Sequence, residues 1–209
     1  MKKWPAVLIF AIVASSCFLA VILLRWQLVA ILTVFLEPFV ELGATGLLLA
    51  ALLWSLVVLI RRWWQHKVDL QVVSALVLCL GALSIYFFVP IDRLMIEADF
   101  RIHLQRRTQI ASEIVAGKWE GKVIQRGGRG ESIDLSGADQ HLSDGGEVLF
   151  WQEGKQDVVL FMTFRGVLDS FSGFVYSSND QPPPHDAFLG NPVEVERLGP
   201  HWYWYASRN

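Results

Sequence analysis

Twenty consecutive residues, Leu70 to Val89, carry no charge. As a helix rising 1.5 Å per residue they extend about 30 Å, the hydrocarbon thickness of a bilayer. Two similar stretches precede them. Pro5 to Leu24 is uncharged, and Phe39 to Ile60 is interrupted only by Glu41. Pro90 then marks a change of solvent. From Asp92 onward the chain carries 12 basic and 17 acidic residues, so a membrane half followed by one small water-soluble domain is expected. The expected division is a three-helix transmembrane region at 1-90, a juxtamembrane helical stalk at 91-117 and a soluble β-rich domain at 118-209. The expected fold class is therefore three transmembrane helices plus a small soluble α+β domain with an antiparallel sheet.

Within the first half, Arg25-Trp26-Gln27 closes the first span with a charge and an interfacial aromatic. Leu28 to Leu36 is too short to cross and is expected at the interface, broken by Glu37-Pro38. Arg61-Arg62-Trp63-Trp64-Gln65-His66-Lys67 is a tight basic loop, so the second and third spans form an antiparallel hairpin. Tyr86-Phe87-Phe88 suit an aromatic girdle. Ala14-Ser15-Ser16-Cys17 loosely resembles the box before a lipidated cysteine. Ala replaces Leu three places before the cysteine, however, and the following residues stay apolar, so an uninterrupted span is the simpler reading. Gly43, Gly46, Ala75, Cys79 and Ala82 are small enough for close helix packing, and contacts among the three spans account for them. The same helices are the expected route to a protein partner or a homo-oligomer, with the lipid bilayer as the surrounding partner.

Orientation follows from Lys and Arg in short loops. Lys2, Lys3, Arg61, Arg62 and Lys67 place the N-terminus in the cytoplasm and the C-terminal domain outside the inner membrane. Arg25, Arg93, Arg101, Arg106 and Arg107 weigh equally in number on the other side. The N-terminus and the short hairpin loop decide between them, because short loops carry most of the rule.

Glu37 and Glu41 are the membrane carboxylates. Four residues apart, they share a face if the helix continues through Pro38. Membrane carboxylates are a feature of ion and proton pathways, whereas solvated interfacial residues are the ordinary case.

Ile91 to Ala116 reads as helix, with Leu94, Met95, Ala98, Ile102, Ile110, Ile114 and Val115 near one stripe. A polar gap at Gln105 to Gln109 suggests a break. From Lys118 the period becomes two. Strands are expected at Trp119–Gln125, Ile133–Leu135, Glu147–Gln152, Asp157–Phe164, Phe171–Ser178, Val193–Arg197 and His201–Ala206. Val158 to Met162 is continuously apolar, which suits a central strand covered on both faces. Arg126-Gly127-Gly128-Arg129-Gly130 reads as a turn whose Arg126 and Arg129 suit an anion. Asn179 to Pro184 reads as an extended, exposed loop. Trp202 and Trp204 lie in a strand with aromatics on both faces, and an aromatic strip of that kind suits a sugar or peptide ligand or, more commonly, a core.

Several chemistries find no support. Gly130 to Asn209 carries 12 acids against 4 basic residues, a balance that repels nucleic acid. Asp139, His141 and Asp144 do not have the spacing of a calcium or zinc site. No nucleophile elbow, phosphate loop, His-Glu-x-x-His or Cys-x-x-Cys motif occurs, and nothing calls for a cofactor. Ser170, Ser172, His141, His185, Asp186 and His201 carry no spacing that demands a catalytic site.

Leu142 to Val148, Phe171 to Ser178 and Leu198 to Tyr203 resemble a small β-rich module of uncharacterised bacterial membrane-anchored proteins. The resemblance covers about the last 90 residues and implies a bacterial source. The expected function is a non-enzymatic, membrane-tethered binding or interaction module. A membrane enzyme or transport-associated subunit is the alternative.

Overall fold

The computed structural model describes residues 6–66, 69–119, 123–127, 130–135, 137–165, 170–185, 187–189 and 192–207. They form two compact units, Met1–Leu94 and Met95–Asn209.

The first unit contains α1 (Ala6–Leu23), α2 (Arg25–Trp64) and α3 (Leu70–Phe88). Three helical segments are long and apolar enough to cross a membrane: Ala6–Leu23, Phe35–Trp64 and Leu70–Phe88. Ala11, Ala14, Ser15 and Phe18 of α1 are buried, as are Val72, Ala75, Cys79 and Ala82 of α3. Small side chains at these positions let the backbones approach, and Ser15 Oγ reaches Cys79 Sγ at 3.9 Å. Helix α2 buries Ala44, Leu48, Ala51 and Ser55, which recur at helical spacing. Ser55 Oγ donates to Ala51 O, so its hydroxyl is satisfied within the helix. Gly43 and Gly46 play no part in this packing. A Cβ on either would meet nothing within 4 Å among the described residues, so contacts among the three helices do not explain their small size. Asp69 caps α3 by accepting from Gln71 N at 3.2 Å and pairs with Arg62 at the same distance.

Helix α2 is bent. Arg25 Nε lies 3.2 Å from Glu37 Oε1, although the residues are twelve apart in one helix. A straight helix would separate them by about 18 Å, beyond the joint reach of the two side chains. The bend therefore lies between the two residues, whereas Pro38, also inside the helix, follows Glu37. The piece from Leu28 to Leu36, expected at an interface, is thus helical and continuous with the Phe35–Trp64 segment.

Helix α4 (Ile91–Val115) runs without the expected break. From Phe100 onward it belongs to the core of the second unit. Phe100, Ile110, Ala111 and Ile114 cluster with Ile133, Leu135, Val148, Val159, Phe161, Phe174, Trp202 and Trp204. Ile102, assigned to the stripe from sequence, is 74% exposed. The buried face instead follows Phe100, Leu104, Arg107, Ala111 and Ile114, at alternating spacings of four and three. Arg107 therefore falls on the apolar face, and the polar gap is where this arginine enters the core.

Seven strands occur among the described residues: β1 (Val123–Gly127), β2 (Gly130–Asp134), β3 (Glu147–Glu153), β4 (Gln156–Arg165), β5 (Phe171–Ser177), β6 (Pro192–Gly199) and β7 (Trp202–Ser207). All neighbours pair antiparallel, in the order β1-β2-β3-β4-β5-β7-β6. The first five form a meander. β6 then takes the edge and β7 returns between β5 and β6. Strand β4 is central, with Val158, Leu160 and Met162 buried on one face and Val159 and Phe161 on the other. Gly173 lies beside it, and a Cβ there would overlap Phe161 O and crowd Leu160.

Candidate functional site

Two places concentrate polar chemistry. The first is a cavity of about 590 Å³ within the helical unit. It is lined by the end of α1, by α2 around Glu37 and Glu41, and by the chain from Tyr86 to Arg93. Glu37 is 5% exposed and paired with Arg25. The Arg25 guanidinium also lies 3.8 Å from Asp92 Oδ2, so one arginine bridges two carboxylates. Glu41 is half-buried on the cavity wall, and its backbone carbonyl accepts from Thr45 Oγ1. The bend in α2 brings Arg25 back to Glu37, which gives the buried carboxylate a countercharge.

The second place lies where α4 meets the 3-10 helix Gly137–Leu142. Arg107 is 2% exposed. Its Nε and Nη2 donate to Leu142 O at 3.1 and 3.0 Å, its Nη1 lies 2.8 Å from Asp99 Oδ2, and its guanidinium sits 4.5 Å from the Phe174 ring centroid. Burial pulls its pKa below the ordinary arginine value, with Asp99 opposing. Sequence reasoning missed this residue, although its register with Phe100 and Ile114 was the available signal. One turn of helix before it, His103 lies 3.6 Å from Asp99 and packs edge-on against His141, with ring centroids 5.2 Å apart. Arg106 makes a two-pronged bond to Asp139, which holds that carboxyl below the usual range.

This cluster predicts a pH dependence. Burial pulls the His103 pKa below its ordinary 6.5, Arg107 and His141 act in the same direction, and Asp99 opposes them. The unfolded chain therefore takes up this proton at higher pH than the folded chain. The stability contributed by neutral His103 is complete above about pH 6.5 and is lost as pH falls through the lower folded value. The Asp139 carboxylate, with its depressed pKa, holds its contribution until more acidic pH. Thermal midpoints from pH 7.5 to 5 should fall more steeply for the wild type than for His103→Gln; equal slopes would remove His103 from the account.

The structure distributes the other sequence candidates widely. Trp202 and Trp204 are buried in the helix-side core. Trp202 Nε1 donates to Thr108 Oγ1 at 3.1 Å, and its ring meets Phe100 and Tyr176 edge-on. Trp204 packs edge-on against Phe174. Tyr203 and Tyr205, on the opposite face, are buried with Phe188. Both faces of β7 are thus occupied by protein. Arg126 is not in a turn but in β1, opposite Glu131, while Arg129 lies outside the described residues. The histidines have separate surroundings. His141 binds Ala138 O, His201 binds Ser177 O and stacks on Tyr176, and His185 is exposed. The proline loop is held down rather than fully exposed, for Pro183 is buried and Gln156 Nε2 donates to Gln181 O and Pro182 O. Asp180 accepts from His201 N and pairs with Arg197, so these contacts with the neighbouring hairpin keep its carboxyl below the usual range. Among the described residues, no group of three or more His, Cys, Asp or Glu is placed to hold a metal ion. No family model matches the chain, and no curated protein or solved structure matches it either.

Proposed function

We propose that this chain is a multi-pass protein of a bacterial inner membrane that displays its sheet unit outside the cytoplasm as a non-enzymatic interaction module. The observation that carries the reading is a contrast in where apolar side chains point. Around the three long helices, large residues such as Val13, Leu42, Leu53, Val77 and Phe87 face outward, an arrangement suited to lipid. In the sheet unit the two clusters flanking the sheet keep most large apolar residues inside, Ile102, Val193 and Val195 excepted. The outward Gly43 and Gly46 favour a partner helix, either from another protein or from a second copy.

Burial of Trp202 and Trp204 moves the proposed contact surface to the sheet margins. One margin is the edge strand β1. The other is the edge strand β6, where Val193 and Val195 are 63% and 42% exposed. An exposed edge of this kind suits an extended peptide that adds a further strand. Two measurements test the reading. Alkaline phosphatase fused after Asn209 should be active, and a photocrosslinker at position 193 should capture a partner protein in native membranes. Activity confined to a cytoplasmic reporter reverses the orientation, and crosslinking to lipid or solvent alone removes the edge strand as the contact surface.

A further inference from the structure

The cavity in the helical unit combines two features that select one class of ligand. Its charged lining comprises Arg25, Arg93, Glu37, Glu41 and Asp92, a set with one excess negative charge. Arg25 is engaged by Glu37 and Asp92. The Glu41 carboxylate makes no hydrogen bond or ion pair with a described residue. A ligand entering here therefore meets an available carboxylate, and an anionic one is repelled. The remaining wall is apolar and aromatic, including Val21, Ile22, Phe87 and Phe88. A cavity of about 590 Å³ is the size that holds a small organic group, and a wall of this composition requires an apolar portion on the ligand.

We infer that the cavity holds the headgroup of a zwitterionic aminophospholipid. Its primary ammonium donates to Glu41, and its glycerol and acyl portion runs along Phe87 and Phe88. Location argues for a lipid over a free amine. The cavity lies at the C-terminal ends of α1 and α3 and beside the start of the Phe35–Trp64 segment, which is the headgroup level if these helices cross a bilayer. The inference rests on that reading of the helices and not on which side the sheet unit occupies. A primary ammonium offers N–H donors to a carboxylate, whereas the quaternary ammonium of a choline lipid offers none.

The test uses the full chain purified in detergent and mixed with phosphatidylethanolamine, phosphatidylcholine or phosphatidylglycerol, with retained lipid counted by native mass spectrometry. Phosphatidylethanolamine should be retained roughly tenfold better than the other two, as one charge-assisted hydrogen bond implies. Glu41→Gln should abolish that preference and Glu41→Asp should keep most of it. Equal retention of the three lipids overturns the inference, as does a preference that survives Glu41→Gln. Displacement by equimolar soluble phosphoethanolamine overturns the lipid assignment. If Glu41→Gln does not assemble, the wild-type headgroup order and Glu41→Asp decide. A carbonate wash of native membranes separates the two levels: release of the chain refutes the membrane reading, while retention without headgroup preference refutes only this inference.

Discussion

Arg107→Ala is expected to destabilise the sheet unit by roughly 3–5 kcal/mol, the range for removing one partner of a buried ion pair. The substitution removes both donors to Leu142 O, the cation over Phe174 and the countercharge of Asp99. It also leaves a void on a helix face already lined by Phe100, Ala111 and Ile114. Unfolding of the purified full chain in denaturant, followed by tryptophan fluorescence and near-ultraviolet circular dichroism, measures the loss. The pair Arg107→Met with Asp99→Leu should cost less than Arg107→Ala, because no lone charge is left in a half-dry site. A loss for Arg107→Ala below about 1 kcal/mol, the size of an ordinary surface effect, would show that Arg107 is solvated in the working protein.

Trp202→Ala should cost a similar amount, about 3–5 kcal/mol for a large aromatic taken from a packed core. Trp202 touches α4 through Phe100 and Thr108 and touches the sheet through Phe161 and Tyr176. Its loss therefore loosens the helix from the sheet. Trp202→Phe keeps most of the apolar contact and gives up the hydrogen bond to Thr108, so it should cost closer to 1–2 kcal/mol. The two variants separate a core role from a binding role. A ligand-contact residue would change binding at constant stability, whereas the expected result is a fall in the unfolding midpoint that follows side-chain volume.

Much of the strand content was legible because period-two alternation bounded by Gly and Pro records which residues see solvent on alternate sides. The expected strand at Glu147–Gln152 corresponds to β3, and that at Asp157–Phe164 to β4. The helix stripe was read less well. Ile102 looked apolar and was assigned inward, whereas Arg107 looked polar and was assigned to a break. A single helix presents several faces, and which one meets the sheet depends on side chains that are remote in sequence. Here Leu142 O, Asp99 and Phe174 form a receptor for a guanidinium, and only their convergence makes a buried arginine tolerable.

The cavity shows the same division. Glu37, Glu41 and Pro38 stand out in the sequence, but the pairing of Arg25 with Glu37 does not, because an unbent helix forbids it. The helix bends between the two residues, and the bend brings the charges together.

The sequence by itself determined the long apolar runs, the approximate limits of β3 to β7, and the centrality of Val158 to Met162, whereas β1 and β2 lie away from their expected limits. These are local consequences of hydropathy and period. Only the tertiary structure decided that β7 returns between β5 and β6, and with it the fate of the aromatic strand. A strand at the edge would leave part of Trp202-Tyr203-Trp204-Tyr205 open to ligand. Inserted between two neighbours, with α4 on one face and Phe188 on the other, its aromatic rings are desolvated by the protein. Strand order depends on which long-range pairing buries the most apolar surface at once, and no window along the chain contains that comparison.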